Sequence, residues 1–417
     1  MDICVENGVL SGTVNAISSK SDVHRFLIAA ALSEGVSTIK FTTLSDDIKA
    51  TIDVLRTLGA KIEITDGFVA KICGIESANA GVTLDALECG TTARLILPVA
   101  AALISSFTLA GKNGLLKRPF LDLCKCMEEN GASCKSDTLP ISVCGRLSSG
   151  IYNIRGDVSS QYISGLLFAL PLLDGDSEIR LTTPLVSSGY VDMTLATLSL
   201  FGIKIEKAKN GFKIKGNQKY TPVKDYTAEG DWSNSCFWLA AGLFGDIKVT
   251  GLDKNSLQKD RLVLDILEKM GADVSFDEGI RVRKSKLKAI SVNGEDIPDA
   301  LPVLATLLAL ADGESVISGG ARLRLKESDR IKSTAAMLSS IGGDVKESAD
   351  GFIINGVKSF TGGSVNAEND HRIVMCAAVA ASASSGSITV CGAEAVNKSY
   401  PTFFEDFKKL GGRISVK

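Results

Sequence analysis

The stretch SSKSDVHR, positions 18–25, crowds Lys20, Ser21, His24 and Arg25 into eight residues directly ahead of the apolar run FLIAAAL. A helix begun there turns its first backbone N–H groups outward, and that end favours negative charge. Two readings fit the fragment by itself: a solvated basic first turn, or a site for an anion. Related groups occur further on, each of them once. LECGTTARLILP (87–98) sets Gly90, Thr91 and Thr92 ahead of Arg94. A Thr N-cap explains the hydroxyls, and a glycine also lets backbone approach an anion closely. GKNGLLKRPF (111–120) places Arg118 before Pro119, outside regular helix. GDVSSQYISGLLFALPLL (156–173) puts Ser159, Ser160 and Gln161 before an apolar helix. Capping explains one serine, whereas the three together suit a phosphate and hydroxyls. LVSSGYVDMTL (185–195) adds Ser187 and Tyr190 with the same ambiguity.

The second half carries more charge. EDIPDALPVLATLLALA (295–311) puts Asp299 at a Pro-flanked helix entrance, where an N-cap is the simpler reading. LRLKESDRI (323–331) holds Lys326, Glu327, Asp329 and Arg330. On an exposed helix Lys326 and Arg330, four apart, would repel, so an outside anion would relieve them. NDHRIVMCAAVAA (369–381) sets Asp370, His371 and Arg372 ahead of a nearly all-apolar helix, and NKSYPTFFEDF (397–407) contributes Lys398. Arg, Lys, Ser and Gln gathered beside turns is chemistry for holding phosphates and carboxylates.

Composition narrows the partners. The formal net charge of −2 leaves no compositional support for nucleic-acid binding, so any basic surface is local. The N-terminus MDICVENGVL does not read as a signal peptide, and the longest apolar run, Leu95 to Ile104, is far shorter than the roughly 20 residues of a membrane span. The ten cysteines include no C-x-x-C pair and the chain has two histidines, which predicts reduced thiols in a cytoplasmic protein without a metal requirement.

The elements that must position these residues follow from an internal repeat. LRTLGAKIEITDGFVAKICG (55–74) has relatives at 198–216, 267–285 and 338–356, a weaker copy at 127–145, and a half-unit, FKKLGGRISVK, at the chain end. The glycines closing the helical runs are Gly59, Gly131, Gly202, Gly271, Gly342 and Gly411, spaced by 72, 71, 69, 71 and 69 residues. In the first copy Ile52, Leu55 and Leu58 share a helix face, and Gly59 supplies the left-handed residue beyond it. Ile62 and Ile64 alternate with Lys61 and Glu63 as in a half-buried strand, and Asp66-Gly67 is a hairpin signal repeated at Asn210-Gly211 and Asp350-Gly351. Six units too small to bury both faces alone predict two groups of three around shared buried helices. The polar stretch YTAEGDWSN (226–234) places the boundary, with residues 19–228 in one lobe and 1–18 plus 229–417 in the other. A cleft between two such lobes is the expected place for chemistry.

Taken in order, SK-S-x-x-HR, GTTxR, RP, SSQ, PD, K-E-S-DR, DHR and K-S-Y-P-x-FF resemble the 5-enolpyruvylshikimate-3-phosphate synthase family, from Ser11 to Phe407. The resemblance implies an α/β fold, an inside-out barrel of two lobes, each of three βαβαββ units. It implies transfer of the carboxyvinyl group of phosphoenolpyruvate to the 5-hydroxyl of shikimate 3-phosphate through a tetrahedral ketal, without metal or organic cofactor, by a monomer. Carried over by position, it assigns Lys20, Gly90, Thr91, Arg118, Gln161, Arg330, Arg372 and Lys398 to phosphoenolpyruvate. Lys20, Ser21, Arg25, Ser159, Ser160, Gln161, Ser187, Tyr190, Asp299 and Lys326 fall to shikimate 3-phosphate. Lys20, Asp299, Glu327 and His371 are its catalytic candidates, and Gly90 implies sensitivity to glyphosate.

Ile17, Ser18, Glu88, Asn234 and Arg322 depart from the family's commoner residues, which bears on substrate affinity more than on reaction type. The sister family that uses UDP-N-acetylglucosamine carries Lys-Asn near the start and a Cys five residues before the loop Arg-Pro. Ser21 and Asn113 stand at those positions here and argue against it.

Overall fold

In the computed structural model, which describes residues 1–417, the repeat is a four-stranded sheet with two helices. The second copy shows the pattern. Strand Val82–Asp85 leads into helix Gly90–Leu103 and then strand Ser106–Ala110, which pairs parallel to the first with Val82 opposite Phe107. Helix Leu121–Glu128 and the hairpin Ser133–Cys134, Ile141–Cys144 complete it, and Ile141–Cys144 lies antiparallel to Ser106–Ala110. The same spatial order, a parallel pair and then two antiparallel pairings, recurs in all six sheets.

The chain divides into two compact units, residues 20–228 and residues 1–19 with 229–417. Each has its own apolar core. Two sheets take a strand from a distant part of the chain. Ser11–Asn15 lies parallel to Asp246–Thr250, and Tyr226–Thr227 lies parallel to Val36–Lys40. In the last sheet Asp2–Val5 sits between Ile388–Cys391 and Ile414–Val416, so the chain start closes the half-unit at the chain end.

Sequence decides which helices go inside. Past their first two turns, Lys20–Ala31, Gly90–Leu103 and Ser160–Ala169 in one unit carry no charge, nor do Trp232–Gly242, Leu301–Leu308 and His371–Ala381 in the other, and all six are buried almost throughout. A helix without a polar stripe must be covered all round. The second helix of each repeat keeps a wet face: Asp46–Thr57 buries Ile48, Ile52 and Leu55 but exposes Asp46, Lys49, Asp53 and Arg56. The sheets lie outside, with alternating residues turned to water, as in Val36–Lys40. This is the inside-out, two-domain α/β architecture.

Two glycine devices hold the layers together. Pro98 has no N–H for the Arg94 carbonyl, and a Cβ on Gly165 would lie 2.6 Å from that oxygen, so the helices carrying them approach closely. At the end of one hairpin strand, Gly356 donates its N–H to the Gly313 carbonyl while a Cβ there would stand 1.6 Å from the Ala311 carbonyl oxygen. Gly74 is placed alike, 1.8 Å from the Ser33 carbonyl oxygen. Since backbone must move to admit a side chain, Gly356→Ala is expected to cost about 3 kcal/mol or more. Urea unfolding at equal slope measures it; a loss below about 0.5 kcal/mol, as at an ordinary surface position, would overturn this account.

Candidate active site

In the unit 20–228 the predicted residues sit in the first turns of the buried helices and beside them. Lys20 opens helix Lys20–Ala31, and its Nζ donates to Asp47 Oδ2 at 2.6 Å from the first turn of Asp46–Thr57. Arg25, one turn on, is 1% exposed. Its Nε donates to Thr194 Oγ1 at 2.9 Å, and its terminal nitrogens donate to the carbonyls of Ser21 and Tyr190. Burial pulls this guanidinium down to about 10, with Tyr190 and Asp22 opposing the shift. Arg25 thus ties Ser21 to Tyr190, whose ring lies 5.8 Å from the guanidinium carbon.

Gln161 links two inner helices: its Nε2 donates to Thr91 Oγ1 at 2.9 Å, and its Oε1 accepts from Arg94 Nη1 at 3.0 Å. Ser159 caps the second of these, accepting from the Gln161 N–H, and Ser160 follows within its first turn. Arg118 lies over Gly90 so closely that a Cβ there would be 2.7 Å from its Nη1. Ser187 is 2% exposed, holds a left-handed φ of 50°, and its buried hydroxyl makes no hydrogen bond within the protein. A non-glycine in that conformation with an unsatisfied hydroxyl is a strained, unfulfilled position of the kind that gathers at binding sites.

In the other unit the charges interlock around Arg330, 1% exposed in the first turn of helix Arg330–Ser340. Its Nε donates to Asp370 Oδ2 at 2.7 Å, Nη1 to Asp299 Oδ1 at 2.7 Å, and Nη2 to Glu327 Oε2. Burial opposes the charge, but Asp370, Glu327 and Asp299 together hold this guanidinium more firmly protonated than usual. Asp299 also pairs with Lys326 Nζ at 3.2 Å. Burial alone would raise the Asp299 carboxyl; Lys326, Arg372 and Arg330 outweigh it and hold it well below the usual carboxylate range. Lys326 titrates below an ordinary lysine because burial outweighs Asp299. Arg372 donates to the carbonyl and hydroxyl of Ser233 and lies 5.6 Å from the Phe237 ring centre. His371 opens helix His371–Ala381 beside Asp370, whose carboxylate accepts from the Arg372 N–H, and Lys398 Nζ donates to the Asn369 carbonyl.

Three expectations change. The cap of helix Gly90–Leu103 is no threonine but Cys89, whose Sγ accepts from the Thr92 N–H, because the helix starts at Gly90 and takes both threonines into its first turn; Thr92 Oγ1 instead meets Thr51 Oγ1 at 2.6 Å. Asp299 does not cap a helix; it lies in the short turn Pro298–Ala300 with its carboxylate turned to Lys326 and Arg330. Lys326 and Arg330 are not neighbours on an exposed helix, since Lys326 precedes the helix in extended backbone, and Asp299 between them removes the repulsion. Sequence reasoning passed over Asp47, Arg94 and Asp370 as partners, and also Asp260, which burial and nearby Asp299 raise to about 7. Asp47 lies 27 residues from Lys20 and Asp370 lies 40 from Arg330, so no local pattern pairs them.

The departures have local partners. Asn234 and Ser399 exchange hydrogen bonds inside the core, Glu88 accepts from Asn113, and Arg322 donates to the Glu295 carbonyl.

Repeated α/β units with cations and hydroxyls in the first turns of buried helices define a protein built to hold small anionic molecules. The profile of EPSP synthase (3-phosphoshikimate 1-carboxyvinyltransferase) matches residues 5–407, and the chain belongs to that family. It is 42% identical to the 3-phosphoshikimate 1-carboxyvinyltransferase of Clostridium novyi, over 97% of this chain and 96% of that one. It is 39% identical to that of Methanocaldococcus jannaschii, over 98% and 97%. A solved EPSP synthase of Acinetobacter baumannii superposes over the whole of both chains with a TM-score of 0.82 at 26% identity.

Removing one partner of a buried charge pair strands the other. Asp370→Ala is therefore expected to cost about 3–5 kcal/mol in urea unfolding. A loss within about 1 kcal/mol, as for an exposed pair, would show that Arg330 does not depend on it.

Proposed function

We propose that this chain transfers the carboxyvinyl group of phosphoenolpyruvate to the 5-hydroxyl of shikimate 3-phosphate, releasing phosphate. The observation that carries the reading is the family match across residues 5–407 together with the full set of predicted cations. Both substrates are phosphorylated carboxylates, and Arg and Lys at buried helix starts neutralise such charges at short range. Lys20, Arg118, Gln161, Arg330, Arg372 and Lys398, with Gly90 and Thr91, are assigned to phosphoenolpyruvate. Ser21, Arg25, Ser159, Ser160, Ser187, Tyr190 and Lys326 are assigned to shikimate 3-phosphate. The strained Ser187 with its unsatisfied hydroxyl supports the second group.

In the addition step the 5-oxygen bonds to C2 of phosphoenolpyruvate, its proton passes to a base, and the methylene carbon gains a proton. Asp299, held as a carboxylate by Lys326 and Arg330, is the base. Glu327, which accepts from Arg330 beside Lys326, is assigned as the donor to the methylene. Lys20, steadied by Asp47, serves as acid and charge stabiliser, and His371 completes the catalytic group. In the elimination step the methyl carbon returns a proton, the C–O bond to phosphate breaks, and the double bond is restored. The reading extends to a cytoplasmic location, with which ten free cysteine thiols agree, and to a monomer, which follows from the family resemblance alone.

Phosphate release should require both substrates and disappear in Lys20→Met, while Asp299→Asn should lower kcat by about 10²–10⁴-fold. Release with one substrate, or full activity in either variant, would overturn the assignment. The pH profile has a sign as well. Asp299 stays ionised below the usual carboxylate range, so it sets no acid limb near neutrality. Lys326 loses its charge at a lower pH than an ordinary lysine, so KM for shikimate 3-phosphate should rise early on the alkaline side. Lys326→Arg should remove that rise; an unchanged alkaline limb would exclude Lys326. Glyphosate should compete with phosphoenolpyruvate, and Gly90→Ala, by pushing on Arg118, should weaken both; inhibition unaltered in that variant would separate Gly90 from the site.

A further inference from the structure

Next to Lys20, three metal-ligating side chains meet that the reaction does not use directly. His24 follows Lys20 by one turn, Asp47 stands in the first turn of helix Asp46–Thr57, and Cys89 caps helix Gly90–Leu103. One ligating atom from each lies within 4.8 Å of the other two, and all three side chains are buried. His24 Nε2 and Cys89 Sγ are 4.0 Å apart. Ligand atoms around a tetrahedral zinc ion stand about 3.3–3.8 Å from one another, given bond lengths of about 2.0–2.3 Å, so closure by about an ångström brings the trio onto a cation.

The surroundings orient the ligands. Thr51 Oγ1 lies 2.7 Å from His24 Nδ1 and 2.6 Å from Thr92 Oγ1. With the Thr51 hydroxyl donating to Thr92, its oxygen accepts from Nδ1–H, and the Nε2 lone pair faces Cys89. A histidine held in its ligating tautomer by a hydrogen bond to the other nitrogen is the usual outer arrangement of a metal site. Burial, with the charges of Lys20 and Arg25, keeps His24 neutral. Burial also pushes the Cys89 thiol up to about 12, so the cation must itself displace that proton.

We propose that His24, Asp47 and Cys89 form a site for a thiophilic divalent cation, zinc above all, and that filling it inhibits the enzyme. Asp47 holds Lys20 at 2.6 Å, and a carboxylate drawn onto a dication no longer steadies that lysine. The added positive charge also repels Lys20 from its place. Binding releases the Cys89 proton and changes no other bond. The inhibitory half rests on the reading of Lys20 given above, whereas the binding half does not.

The test uses the full chain with Co2+ as probe. The parent protein should show a sulfur-to-cobalt charge-transfer band and the visible bands of a four-coordinate ion, both abolished by Zn2+. Cys89→Ser, whose hydroxyl can still cap the Thr92 N–H, should fold, release phosphate at the metal-free rate and lose the band. Thr51→Val, which removes the tautomer-setting oxygen, should weaken Zn2+ binding by about 10–100-fold. Phosphate release by the parent should fall with Zn2+ and return with a chelator, and Cys89→Ser should resist. A missing band would show that no thiolate ligates the cation, a band that survives in Cys89→Ser would place the cation on another cysteine, and either would overturn the site. A band with undiminished phosphate release would overturn the coupling through Lys20. If the parent releases no phosphate even without metal, the functional reading fails, and the band alone decides the site.

Discussion

An apolar helix inside a small α/β repeat has to be covered on every side, and one four-stranded sheet cannot do it. Almost everything else in this protein follows from that constraint. Three repeats pool their inner helices within each unit, the sheets form the wall, and the amphipathic second helices fill the gaps. Alanine-rich stretches such as Ala29 to Ala31 at the end of Lys20–Ala31, and positions such as Gly165 opposite Pro98, let the inner helices lie close. The layers are fixed by backbone proximity as much as by side chains, as Gly356 and Gly74 show where hairpin strands pass under carbonyl groups.

A buried helix still has four outward N–H groups at its start, and a folded protein must satisfy them. Here those starts carry Cys89, Ser159, Asp231 and Asp370 as caps, with Lys20, Gln161, His371 and Arg372 beside or within first turns. The first turns are therefore the places where a polar or charged side chain can enter an otherwise apolar interior at low cost. The transfer proposed above draws on these positions because the architecture leaves few others so close to rigid elements.

The two units handle charge differently. Around Arg25 a guanidinium is buried against neutral acceptors, which lowers its proton affinity but leaves it charged at neutral pH. Around Arg330 three carboxylates answer one buried guanidinium, with Lys326 and Arg372 nearby, and that balance sets the ionisation of Asp299. On the proposed function, an anion reaching the second cluster exchanges partners with these carboxylates rather than filling an empty positive hole.

Much was legible in the chain alone. Glycines at intervals of about 70 residues gave the repeat, since only a residue tolerant of positive φ ends these helices, and Gly59 does so at φ 113°. The ordered cationic motifs gave the family, because a phosphate-binding set needs fixed residue types in fixed local settings. Which side chain partners which was beyond the sequence. Asp47 and Lys20 are 27 residues apart, Arg330 and Asp370 are 40, and His24 and Cys89 are 65. Local pattern reports on neighbours within a turn or two, so Lys326 and Arg330 read as a repelling pair until Asp299 was seen between them. Burial, and with it the direction of every shifted proton affinity, is a property of the packed repeats, and only the tertiary structure could decide it.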